Sequence, residues 1–286
     1  MHLYALDEKE NLISAHQADK QTNYFCRECR CVVRCRGGFL RQVHFYHLEP
    51  NRTCRQSGKS LIHLQIQQYM QTVLPTSECE LEKRFPLINR IADVVWEEKK
   101  LIFEIQCSPI SAREIEGRNH DYQSLGYQVI WIMHDHLYNK NRLTAAEYFL
   151  QESPHYFTDM NAEGQGRIYD QCDWIEKGKR LKSMGSREVN ISSHCLCKEQ
   201  LFSNYDYPTW LKKRIQSWPI YFSGDFLDHL LMSKDVKAGE IGQETFIELE
   251  KSQTQLGLRE RVMNMINFIM FPYRLMLHLI IEKLTR

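Results

Sequence analysis

Two short apolar runs, Arg90 to Trp96 and Leu101 to Gln106, lie either side of the charged loop Glu97-Glu98-Lys99-Lys100. They are rich in β-branched and aromatic residues around a polar break, which predicts an antiparallel hairpin. If Trp96 faces Leu101 across the loop, paired residue numbers keep one sum and Asp93 falls opposite Glu104. Opposed residues project from one face, and Gln106, two residues beyond Glu104, shares it. Ser60 caps a predicted helix whose apolar positions are Leu61, Leu64, Tyr69 and Val73, ending at Pro75. A polar helix follows over 111–125, closed by Gly126, and then Tyr127 to Met133, a continuous apolar run of the kind that forms a central strand covered on both faces. Helix, hairpin, helix, strand is an α/β order and predicts one mixed sheet with helices on its faces.

The flanks pattern differently. Up to about Gly58 the chain reads as short strands and turns: a hairpin around Asp7 to Glu10, and a second turning at Gly37-Gly38. After about Leu150 periodicity is weak until Leu256, and 262–284 is apolar but interrupted by Asn264, Asn267, Pro272, Arg274 and His278. A membrane span needs about 20 nearly uninterrupted apolar residues, so helices broken at Pro272 are expected there rather than a stable insertion. The organisation expected is an N-terminal β module over 1–58, an α/β domain over 59–150 and a mostly helical region over 151–286.

Composition alters this picture little. The 286 residues are 43% hydrophobic and 26% charged with a net charge of +1, so overall charge points to no partner. Local basic density does: Arg27, Arg30, Arg34, Arg36 and Arg41 crowd one stretch. The start has no charged segment followed by an apolar one, so a cytoplasmic location is expected. The ten cysteines are then thiols or metal ligands.

Two constellations carry chemistry. Cys26-Arg27-Glu28-Cys29 has knuckle spacing, with His44, His47 and Cys54 downstream. Tetrahedral zinc takes four thiolate or imidazole ligands from converging turns. Cys26, Cys29, His47 and Cys54 are the expected structural site, with His44 as the alternative to either later ligand. The second is the acidic pair. Opposed carboxylates repel, so either the pair lies on a solvated outer face or a hard divalent cation, magnesium or manganese, sits between them. Repulsion further implies that Asp93→Asn leaves the metal-free protein as stable as before, or more so.

The Cys26-x-x-Cys29 knuckle, His44-Phe45-x-His47 with Cys54, Ile91-Ala92-Asp93-Val94, Glu104-Ile105-Gln106-Cys107-Ser108-Pro109 and Gly126-Tyr127-Gln128-Val129-Ile130-Trp131 together resemble the competence protein CoiA family. The resemblance covers about the first half of the chain. It implies a PD-(D/E)XK restriction-endonuclease-like core, an N-terminal zinc module, and a metal-dependent deoxyribonuclease that processes DNA, single-stranded by preference, during natural transformation and beside recombination proteins. Asp93 and Glu104 would hold the catalytic ion, with the Ile105 carbonyl as a further ligand, and Gln106 stands where many relatives have lysine. His63 keeps the histidine of a Glu-His pair common in the family, while Ile62 replaces its acid. Arg118 and Tyr122, one helical turn apart, are the expected DNA contacts. A non-catalytic DNA-binding adaptor on a degenerate nuclease fold is the alternative.

Overall fold

The computed structural model describes residues 1–38, 41–51, 53–54, 59–75, 77–171, 173–181, 185–196 and 214–232. Met1–His229 forms one compact unit and Leu230–Arg286 a second. The apolar stretch expected to form broken helices lies outside the described residues, and no described helix is long and apolar enough to cross a membrane.

The N-terminal module is a five-stranded antiparallel sheet, in the order β2-β1-β3-β4-β5. Its strands are β1 Tyr4–Leu6, β2 Leu12–Ser14, β3 Asn23–Phe25, β4 Val32–Gly38 and β5 Arg41–His47. Both expected hairpins form. Asp7 Oδ1 fastens the first turn by accepting from the Lys9 and Asn11 N–H groups at 2.8 Å each. Glycine is required in the second: Gly37 has φ 113°, and a Cβ there would stand 2.4 Å from the Gln42 carbonyl oxygen. A small core of Ala5, Tyr24, Val33 and Phe45 includes Cys26, Cys35 and Cys54.

The main sheet has seven strands in the order β14-β11-β10-β9-β8-β7-β6. β6 Cys79–Phe85 is an edge, followed by β7 Arg90–Trp96 and β8 Leu101–Gln106. The hairpin keeps the expected register from Trp96 opposite Leu101 to Val94 opposite Phe103, but pairing stops there, so the expected Asp93–Glu104 pair does not form. α1 Leu61–Val73 precedes β6, and α2 Ala112–Ser124 links β8 to β9 Gln128–His134, which pairs in parallel with β8. Ser60 and Ser111 cap the two helices, each hydroxyl accepting an N–H three residues on. β9 is central as predicted, with β10 His155–Thr158 parallel on its other side. Ile115 and Tyr122 of α2, and Ala146 and Leu150 of α3 Ala145–Leu150, enter one core with Ile102, Trp131 and Met133. No buried residue of α1 joins that core; α1 lies against β6, β7 and β8, so the sheet is covered on both faces.

Two expectations fail. The buried face of α1 is His63, Leu64, Ile66, Gln67 and Met70 rather than Leu61, Tyr69 and Val73. Apolar spacing misplaced it because two of the inward residues are polar and have a buried carboxylate to bind. Second, the sheet does not end at Leu150, and the described residues beyond it form more strand than helix. β10, β11 Ile168–Asp170 and β14 Arg187–Glu188 extend it, while β12 Trp174–Glu176 pairs with β13 Lys179–Leu181, and β15 Asn190–Leu196 with β16 Ile220–Ser223. Most of these strands have two to four residues, too few for an alternation to be read, and the longer β15 is interrupted by a register shift between Asn190 and His194. A buried polar joint holds the last of them: Asp170 Oδ2 accepts from Arg214 at 2.5 Å and from the Phe226 N–H at 2.9 Å, and Asp225 accepts from the Tyr156 hydroxyl at 2.7 Å.

Candidate active site and thiolate cluster

Pairing between β7 and β8 ends at Val94 and Phe103, although β8 stays paired with β9 as far as Gln106. Where the hairpin opens, Asp93 Oδ2 accepts the Ile105 N–H at 2.9 Å. Its Oδ1 faces α1, with His63 Nε2 at 3.0 Å and Lys59 Nζ at 2.9 Å. One helical turn past His63, Gln67 Nε2 donates to the Asp93 carbonyl at 3.1 Å. Glu104, 1% exposed, turns to α2. Arg118 donates to its Oε2 at 2.6 Å and the Tyr122 hydroxyl to its Oε1 at 2.7 Å.

Each carboxylate therefore has its own partners, and the two environments push them apart. Burial alone would raise Asp93, but the charges of His63 and Lys59 hold its carboxyl well below the usual range. For Glu104 burial wins over Arg118, and nearby Asp93 adds repulsion, so its pKa is raised. The expectation of a bare, repelling pair is thus corrected for Asp93, which is stabilised as an anion.

A cleft of about 200 Å³ opens onto this point, lined among others by Lys59, His63, Arg90, Asp93, Gln106 and Arg118. Asp93, His63, Arg118 and Gln106 come together there as the sequence suggested. Glu104 lies behind Arg118. Gln106 Nε2 donates to the Ser108 carbonyl at 2.6 Å and to its Oγ at 3.0 Å, so the amide also shapes the turn after β8. Tyr122 does not meet its expected role. Its ring is 0% exposed and its hydroxyl is spent on Glu104, so it reaches no base or phosphate. Several arginines of the basic stretch are engaged within the protein: Arg27 donates to the Glu82 carbonyl, Arg34 to Asn23 and Arg36 to His44, while Arg30 pairs with Glu10 on the exposed surface.

Lys59 and Glu82 were not legible as site residues. Lys59 reaches Glu82 Oε1 at 3.1 Å as well as Asp93. Burial lowers its pKa, but Asp93 and Glu82 together raise it above the ordinary lysine value. Its place one residue before the helix cap was the only available signal.

The second constellation assembles in the N-terminal module. One ligand atom each from Cys26, Cys29, His47 and Cys54 lies within 4.8 Å of the other three. Cys29 Sγ is 3.2 Å from His47 Nε2, and Cys26 Sγ is 3.7 Å from Cys54 Sγ. The set can hold a metal ion such as zinc. His44 is not in it: its ring nitrogens face the Gln42 carbonyl and Arg36. Cys35 donates to the Ala15 carbonyl and Cys31 accepts from Asn51. Burial raises the Cys26 thiol pKa, so a bound cation would have to draw off its proton.

Residues 58–182 match the family described as competence protein CoiA, nuclease-like domain. This segment belongs to the CoiA family. No curated protein and no solved structure is matched by the chain. The CoiA nuclease-like domain contains the whole cleft, from Lys59 through the hairpin to Arg118, and runs past Leu150 into the strands that the sequence left unassigned.

Proposed function

We propose that the chain is a divalent-cation-dependent deoxyribonuclease that acts on DNA taken up in competence, preferentially single-stranded, in the cytoplasm and in the company of recombination proteins. The observation that carries this reading is Asp93: a carboxylate held ionised at the splayed end of a hairpin, inside a cleft, with Glu104 on the adjoining strand. Asp93 brings hard carboxylate oxygens to a cleft wide enough for water, and Glu104 behind Arg118 would join it once that guanidinium turns away, a set that fits magnesium or manganese. Asp93 and Glu104 would hold the ion, which when bound lowers the pKa of water and polarises a phosphoryl oxygen. Lys59, Arg90 and Arg118 line the cleft and give a phosphodiester its counter-charge. Arg118 reaches both Glu104 and the cleft, so it can turn from the carboxylate to a phosphate oxygen. Gln106 positions the reacting groups without supplying charge. In the N-terminal module, Cys26, Cys29, His47 and Cys54 hold a structural zinc.

One observation favours the adaptor reading. In this structure each oxygen of Asp93 and Glu104 already has a protein partner, and Ile62 supplies no further acid. Incubating the full chain with labelled single- and double-stranded DNA, with and without magnesium or manganese, separates the two. Cation-dependent cleavage that disappears in Asp93→Ala and falls on the order of 100-fold in Gln106→Ala, with DNA binding kept, is the expected result. Binding without cleavage under every condition assigns the adaptor role.

A further inference from the structure

Asp93 Oδ1 already receives both His63 and Lys59, so a divalent ion can take that oxygen only if one of them leaves. The Ile105 N–H belongs to β8 and His63 is carried by α1. Lys59 alone has a second carboxylate within reach, Glu82.

Glu82 is an unusual acid for an edge strand. It is 1% exposed, and its φ is 52°. On either side of it Leu81 pairs with Val94 and Lys83 with Ala92, while Glu82 itself, level with Asp93, makes no pair. A non-glycine residue in the left-handed region persists only where its surroundings determine it, and such residues gather at functional sites. Here the Cys26–Cys29 loop supplies part of that determination: Arg27 Nη1 donates to the Glu82 carbonyl at 3.2 Å, and Arg84, two residues on, donates to the Arg27 carbonyl.

We propose that Lys59 and Glu82 form an ammonium switch for the cation site: Lys59 occupies Asp93 in the ion-free protein and passes wholly to Glu82 when a divalent ion binds. The inference rests on reading the cleft as a cation site. It makes Lys59 and Glu82 positioning residues that set cation affinity, and it leaves the ammonium on Glu82 at the edge of the loaded site. In the ion-free state the ammonium faces both acids, and in the loaded state Asp93 faces the ion while Glu82 keeps the ammonium, so neither buried carboxylate is left without a cation.

Manganese titration of the full chain, followed by calorimetry and by the electron paramagnetic resonance of free manganese, tests this without reference to cleavage. Lys59→Met should tighten manganese binding by roughly tenfold, because the competing charge is gone. Lys59→Gln, which keeps hydrogen-bonding capacity for both acids, should do the same. Glu82→Gln should weaken binding, since Lys59 is then left to Asp93. In the Lys59→Met background Glu82→Gln should lose that effect; if the two changes simply add, Glu82 acts through space and the switch is wrong. Unchanged affinity in both Lys59 variants also overturns it while leaving the cation site standing. No manganese binding by wild type or variants overturns the cation site as well. Should the variants not fold, a crystal structure of the wild type with manganese decides: Lys59 on Glu82 and away from Asp93 supports the switch, and Lys59 still on Asp93 beside the bound ion refutes it.

Discussion

The acidic pair divides by electrostatics, and the division can be measured. Unfolded, Asp93 would titrate near 3.9, as ordinary aspartates do, to within about a unit; folded, it is held lower by His63 and Lys59 against the effect of burial. A depressed folded pKa gives stability that is present above the unfolded value and lost as pH falls through the folded one. Asp93→Asn should therefore cost about 3 kcal/mol in metal-free protein at about pH 7, with the gap from wild type closing below about pH 4. Glu104 has the opposite sign, because burial raises it despite Arg118. Its contribution is full below the unfolded value and is lost as pH rises through the folded one, so Glu104→Gln should compare better with wild type at about pH 7 than at about pH 4. Thermal melts of both variants in chelator read these slopes. An Asp93→Asn protein as stable as wild type at neutral pH contradicts the arrangement. Tyr122→Phe tests the partner of Glu104: losing a buried donor should cost roughly 1–3 kcal/mol, while DNA affinity stays unchanged because the ring is out of reach.

Among the elements, the knuckle loop and β6 depend on each other most directly. Cys26 and Cys29 flank Arg27, whose guanidinium meets the Glu82 carbonyl, while Arg84 returns to Arg27 and to Glu28. With so small an apolar core, the N-terminal sheet needs a metal staple. Purified protein should carry stoichiometric zinc by elemental analysis, and chelation should unfold 1–54 and speed hydrogen exchange in β6. Full protection of β3 to β5 in excess chelator, with no zinc found, would remove the metal from the account. The edge position of β6 also explains its other charges: Glu80, Lys83 and Arg84 are acceptable where only one neighbour pairs, and edge charges discourage pairing with other chains.

Over the whole molecule, the sheet sets the minimum folding unit. β9 is central only because β10 lies beside it, and β10 in turn pairs with β11. A fragment spanning 59–150 ends before β10, so it would expose one long edge of β9 with the apolar run Val129 to Met133 on it. That fragment should aggregate on expression, whereas 1–229, the compact unit, should be soluble and give a cooperative melt. A soluble, cooperatively folding 59–150 fragment would show that the later strands are accessory.

The sequence by itself determined what depends on local pattern. The hairpin, its register next to the Glu97 to Lys100 loop, the Ser60 cap, the central strand at β9 and the Cys26-x-x-Cys29 half of the metal-binding cluster all follow from periodicity, turn chemistry and ligand spacing, while the fold chose His47 and Cys54 over His44 for the other half. Tertiary structure decided what depends on distant partners. Which face of α1 is buried turns on a carboxylate about thirty residues away, since burial of polar His63 and Gln67 is favourable only where Asp93 can receive them. Whether the acidic pair repels turns on Lys59 and Arg118, which the strands themselves do not contain. Glu82 joins the site from an unpaired position of β6 in the left-handed region, its carbonyl held by Arg27 from the loop between β3 and β4, a contact between residues far apart in the chain that no local spacing encodes.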